Sequence, residues 1–112
     1  ELIRRYDDDI TCSIEYGIPR DLVEKWGFVL CVGFYLARST PGTRAFFARW
    51  QERLEYHTRE QIAFNHLLDD LNPAWEPADV DGAVGRRCRV EIAGHTLSVL
   101  ALPYERFTRD MP

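Results

Sequence analysis

Two periodicities take turns along this chain. Asp9-Ile10-Thr11-Cys12-Ser13-Ile14-Glu15 alternates polar and apolar residues and stops at Gly17, which predicts a strand. Pro19 then suits the first position of a short helix, where its missing N–H would be unpaired anyway. That helix would carry Leu22, Val23 and Trp26 inward and stop at Gly27. Phe28 to Ala37 is continuously apolar, the pattern of a strand covered on both faces, and it predicts a place in the middle of a sheet. Gly33 interrupts the run, so a bulge or a close approach to the backbone is expected there.

The period then lengthens. Thr40 is placed to cap a helix with Pro41 at its first position, and Phe46 or Phe47, Trp50 and Leu54 fall on one stripe. Thr58-Arg59-Glu60-Gln61 has the spacing of a capping box, in which Thr58 and Gln61 would bond each other's backbone amides. Ile62, Phe64, Leu67, Leu68 and Leu71 give this second helix its apolar side, and Asn72-Pro73 ends it. Trp75 to Gly85 is broken by prolines, aspartates and glycines and reads as loop. Arg89–Ile92 and Thr96–Leu100 read as strands of a hairpin turning at Ala93-Gly94-His95. Pro103 to Phe107 reads as a closing turn with an aromatic anchor. The pieces add up to an α/β domain: a mixed sheet with packed helices.

Composition narrows the class. A chain of 112 residues, 46% hydrophobic and 29% charged, suits a single globular domain. Its formal net charge of −4 argues against nucleic acid or an anionic membrane as partner. Arg86-Arg87-Arg89 reads as a solvated strand edge rather than a phosphate site. The longest apolar run is too short to span a bilayer. Cys12, Cys31 and Cys88 cannot all pair within one chain and show no C-x-x-C spacing, which predicts free thiols and a reduced, cytoplasmic setting. His57, His66 and His95 show no ligand spacing. Glu1 to Tyr6 has the spacing of a helix end without an initiating Met, from which a piece of a longer chain is expected.

The order of short motifs is informative. Cys31-Val32-Gly33-Phe34 is followed by Arg38-Ser39-Thr40-Pro41-Gly42-Thr43, then Trp50, then Glu60-Gln61-Ile62-Ala63-Phe64-Asn65, then Leu102-Pro103 and Phe107. Upstream stands Asp7-Asp8-Asp9-Ile10. This order resembles the nucleotide-diphospho-sugar transferase family, glycosyltransferases with a GT-A type fold. There an apolar strand carrying Asn-x-Gly-Phe leads to Arg-x-Thr-x-x-Thr, a helix with a Trp, Asp-Gln-x-x-Phe-Asn, and a strand ending Leu-Pro. The resemblance runs from about Asp7 to Phe107 and implies the C-terminal part of such a domain. It departs at Cys31, where the family has Asn, and at Glu60, where it has Asp. The family's nucleotide-binding N-terminal half has no counterpart here.

The resemblance implies transfer of a sugar from a nucleoside diphosphate sugar to an acceptor hydroxyl in the full-length protein. Nucleotide sugar and acceptor would be its partners, and a Mn or Mg cation would assist. It places the active carboxylate at Glu60 and substrate contacts at Gly33, Arg38, Gln61 and Asn65. Each has a plainer reading beside it. Glu60 suits a helix N-terminus on dipole grounds alone, Gln61 completes a capping box, Asn65 can bond a neighbouring loop, and Arg38 can reach solvent. Asp7 and Asp9 could hold a hard cation between them, although Arg4-Arg5-Tyr6 is not the apolar strand that usually leads into such a pair. The functional reading requires the ribbon around Gly33 and the helix after Thr58 to lie side by side, with Arg38 and Glu60 meeting at one hollow. The alternative is a non-catalytic interaction or oligomerisation module, a homodimer for example, since a sheet edge left open invites self-association.

Overall fold

The alternating stretch at the start of the chain becomes an interior strand of a five-stranded sheet, one in from its edge. In the computed structural model, which describes residues 7–55 and 59–103, the strands are β1 (Ile10–Glu15), β2 (Val29–Ala37), β3 (Glu76–Val80), β4 (Ala83–Ile92) and β5 (His95–Leu102). The helices are α1 (Arg20–Trp26), α2 (Pro41–Leu54) and α3 (Glu60–Asp70). The sheet order is β2-β1-β5-β4-β3. Only β1 and β5 run parallel; the other neighbours are antiparallel. The mixed α/β sheet expected from the pattern is therefore present.

Alternation decides which side chains meet the helices. Ile10, Cys12 and Ile14 of β1 point to one face with Leu97, Val99 and Ala101 of β5 and Cys88, Val90 and Ile92 of β4. Against that face α2 sets Phe46 and Trp50, and α3 sets Ala63, Phe64, Leu67 and Leu68. The rings of Phe46, Trp50 and Phe64 contact edge to face, Trp50 and Phe64 with centroids 4.9 Å apart. Of the two candidate phenylalanines, Phe46 enters the core and Phe47 lies at its margin. A smaller cluster of Ala78, Val80, Leu100 and Leu102 occupies the opposite face.

The start of α2 is as its residues dictate: the Thr40 hydroxyl accepts from the Thr43 amide at 3.2 Å, with Pro41 first in the helix. Gly42 is required there, because a Cβ would stand 2.9 Å from the Thr96 carbonyl oxygen. Pro19 takes the N-cap of α1, one residue earlier than expected, and Gly27 closes that helix in the left-handed region.

Four expectations need correction. The apolar run of β2 lies at the sheet edge, not in its middle: it pairs only with β1, and the Asn65 amide covers its outer edge at Leu30. The segment Trp75–Gly85 is not loop but β3 and the start of β4. Its Asp81-Gly82 pair, with φ of 51° and 87°, forms the same two-residue turn as Ala93-Gly94. Pro77 fits because β3 is an edge strand. The Arg86–Arg89 run lies on β4, an interior strand, rather than on an edge. Thr58, half of the expected capping box, lies outside the described residues; Arg59 is the N-cap of α3 without a side-chain cap, and the Gln61 side chain is bonded elsewhere. The closing turn expected after Pro103 also lies outside the described residues.

Candidate functional site

The two ends of β1 carry most of the polar chemistry of the described residues. At its opening end, three consecutive aspartates take three different directions. Asp8 is buried and accepts two hydrogen bonds from Arg87, Nε to Oδ1 at 2.8 Å and Nη2 to Oδ2 at 2.9 Å. This fork-to-fork pair joins β4 to the chain ahead of β1. The bond to Asp8 raises the Arg87 guanidinium above its ordinary pKa against an opposing effect of burial. The Asp9 carboxylate accepts from the backbone N–H of Ser98 at 2.8 Å and from its hydroxyl at 3.2 Å, while the Asp9 N–H donates to the same hydroxyl. Asp7 is fully exposed and stands 3.9 Å from an Arg38 nitrogen.

A hard cation needs several convergent oxygens. Asp7 and Asp9 do not supply them, since Asp9 is committed to Ser98 and Asp7 turns outward to Arg38. Among the described residues no three His, Cys, Asp or Glu side chains gather as a metal cluster. The pair therefore does not fit the cation expected at Asp7 and Asp9.

Arg38 belongs to this same end. Its backbone N–H donates to the Asp9 carbonyl, and its side chain borders an open hollow of about 460 Å³ with Ser39, Thr43, Arg44, Phe47 and Gln51. Glu60 and Gln61 do not line that hollow. The six residues of β1 separate the two ends by about 20 Å at the ordinary strand rise. The expected meeting of Arg38 with Glu60 at one hollow is thus not what the fold delivers: β2 runs antiparallel to β1, so its last residue returns to the beginning of β1.

The far end of β1 is organised by α3. Gln61 accepts from the Val32 N–H at 3.2 Å and donates to Glu15 Oε1 at 2.9 Å and to the Ile18 carbonyl at 2.8 Å. These partners fix which end of the amide is oxygen. Asn65, one turn later, is fully buried; its Oδ1 accepts from the Leu30 N–H at 2.8 Å, and its Nδ2 donates to the carbonyls of Leu30 and Gln61. The Asn65 amide thereby pairs with the outer edge of β2 as a neighbouring strand would. A sugar hydroxyl could reach it only by displacing Leu30.

Gly33 sits beside this contact in a bulge. Ser13 pairs with Cys31 and Cys12 with Tyr35, so Val32, Gly33 and Phe34 face no residue of β1. The bulge expected at Gly33 is present. A Cβ there would meet only the Cys31 sulfur at 3.6 Å, an ordinary contact, so close packing does not demand the glycine. Glu60 opens α3 with its side chain exposed, and its carbonyl accepts from Trp50 Nε1 at 3.0 Å, which ties the helix start to the aromatic core. The ribbon at Gly33 and the start of α3 are therefore side by side.

The site contains one residue that pattern reading passed over. Glu15 was only the last polar position of an alternating strand, and its signal was slight: a carboxylate two residues before a glycine. The cysteines are all free. Burial pushes the Cys12 thiol far above its ordinary pKa, with Cys31 adding to it, and pushes Cys88 up to about 12, with the Asp8 charge adding. Among the described residues no helix is long and apolar enough to cross a membrane.

No curated protein and no solved structure matches the chain. The family model described as nucleotide-diphospho-sugar transferase matches residues 4–111. That match takes in nearly all of the chain, including both ends of β1, the bulge and α3, and by it the chain belongs to the nucleotide-diphospho-sugar transferase family.

Proposed function

We propose that this domain serves transfer of a sugar from a nucleoside diphosphate sugar to an acceptor hydroxyl, on the strength of its family match, and that, with Arg38 and Glu60 apart instead of at one hollow, its part of the site is the far end of β1 alone. The observation that carries this reading is the Gln61 amide, which binds the bulge at Val32 and the Glu15 carboxylate at once. In sheets with parallel strands, ligands favour the carboxyl ends of those strands. Here β1 and β5 are the parallel pair, and β5 finishes at Leu102 beside Ser13, close to the same end.

In this reading Glu60 is the exposed carboxylate at the reacting centre. The acceptor oxygen bonds to the anomeric carbon as the bond to the diphosphate breaks. Glu60 either takes the acceptor's proton or stabilises positive charge building on the sugar ring. Gln61 fixes the backbone beneath it, and the bulge at Gly33 supplies the neighbouring surface. Asn65 acts on the site through Leu30 rather than by contact with sugar. The Asp9 carboxylate, bound to Ser98, serves the fold in this reading. Arg38 lies with the other end of β1; a donor phosphate there would belong to a separate subsite.

The test is titration of nucleoside diphosphate sugars, with and without Mg²⁺, followed by amide shifts. Changes clustered at Val32, Gly33 and Gln61 support the reading. Changes confined to Arg38, Ser39 and Arg44, or no changes, oppose it. A second reading, an interaction module without catalysis, draws on the exposed Val84 of the β3–β4 hairpin at the other sheet edge. Concentration-dependent self-association that Val84→Lys abolishes, together with no nucleotide response, would favour it.

A further inference from the structure

We infer that Glu15, presented by Gln61, is a specificity-determining acceptor for sugar hydroxyls; the choice of sugar as ligand rests on the function proposed above, and the placement of Glu15 does not. Two observations carry it. First, the carboxylate is held from one side only: Oε1 accepts from Gln61 Nε2 at 2.9 Å, and that amide is itself locked by Val32 and Ile18. Second, Oε2 occupies the space a side chain at residue 17 would need, since a Cβ on Gly17 would stand 2.7 Å from it. The glycine leaves the second oxygen room.

A monosaccharide has a rim of hydroxyl donors and an apolar face of C–H groups. An oriented carboxylate accepts from the rim. Glu60 lacks such fixation, as its side chain is exposed at the helix start. The division of labour follows: Glu15 selects and orients a hydroxyl, while Glu60 stays free to act at the reacting centre.

Free glucose, galactose, mannose and xylose, titrated into the chain and followed by amide shifts, test this directly. The expected result is movement of the Tyr16, Gly17 and Gly33 amides with at least one sugar. Glu15→Gln should weaken that sugar about tenfold, the equivalent of one charge-assisted bond, at an unchanged melting temperature, because the amide oxygen still accepts from Gln61. Gly17→Ala provides a second probe that perturbs only the flexible end of Glu15, and it should weaken the same sugar. No shifts at those amides in the wild type, or wild-type affinity in both variants, would overturn the assignment. The nucleoside diphosphate titration separates the two proposals. If it fails while Glu15→Gln still weakens a sugar, the transfer reading falls and the sugar site stands. If it succeeds while both variants bind every sugar as the wild type does, Glu15 falls and the transfer reading stands.

Discussion

The two ends of β1 invert what their residues suggest. The opening end carries Asp7-Asp8-Asp9, which looks like chemistry, yet two of its carboxylates serve the fold: Asp8 holds Arg87 and Asp9 holds Ser98. The far end receives Gln61 and Asn65 from α3, which look like ordinary helix residues, yet their amides hold β2, Glu15 and the Ile18 turn together. The difference lies in reach. A carboxylate with a guanidinium or a backbone N–H in range is neutralised by it. A helix laid along a strand edge can place amides opposite unpaired backbone groups, and one of those amides still has a carboxylate to present.

The sharpest way to break this comparison is at Asn65. Asn65→Ala should cost about 3 kcal/mol in denaturant unfolding, because it strands the buried N–H and C=O of Leu30. A loss under about 1 kcal/mol would mean that the β2 edge does not depend on the helix. At the opening end, Asp8→Ala leaves the Arg87 charge without its partner and should cost about 2 kcal/mol, less than a fully buried pair because Arg87 is partly exposed. A neutral result would remove the structural role given to the aspartates. Gln61→Leu should cost about 1 kcal/mol in stability. Its larger mark should be faster hydrogen exchange at Val32 and weaker sugar response at Gly17, which Asp8→Ala should leave alone.

The last effect is absent near neutral pH and shows only in alkali. Cys12 and Cys88 have thiols raised above their ordinary value of 9.0 in the folded chain. The unfolded chain therefore releases these protons first, so stability is full below pH 9 and declines as pH rises from 9 toward 12. Cys88→Ala should flatten that decline in unfolding curves taken across the range. An unchanged slope would show that the thiols do not carry it.

Local pattern was legible where neighbours in sequence are also partners in space. Thr40-Pro41 started its helix, Gly27 closed one, Ala93-Gly94 turned a hairpin, and Gly33 marked a bulge. The Asp81-Gly82 turn is equally legible, but the prolines, aspartates and glycines of Trp75 to Gly85 together read as loop, and Pro77 is tolerated in a strand there only because β3 lies at an edge. The apolar run of β2 was read as central because continuous hydrophobicity reports coverage and not position. Its coverage comes from packed side chains and from the Asn65 amide, neither of which the run itself reveals.

By itself the sequence determined an α/β domain, its helices and most of its strands, and the order of motifs that joins it to its family. These depend on side-chain period and turn chemistry, which act over a few residues. Only the tertiary structure decided which polar groups serve the fold and which remain for a ligand. Asp8 meets Arg87 across 79 residues of chain, and Gln61 meets Glu15 across 46. No local pattern encodes such pairings, because sheet order and strand direction set them. Those same two features send Arg38 to one end of β1 and Glu60 and Gln61 toward the other.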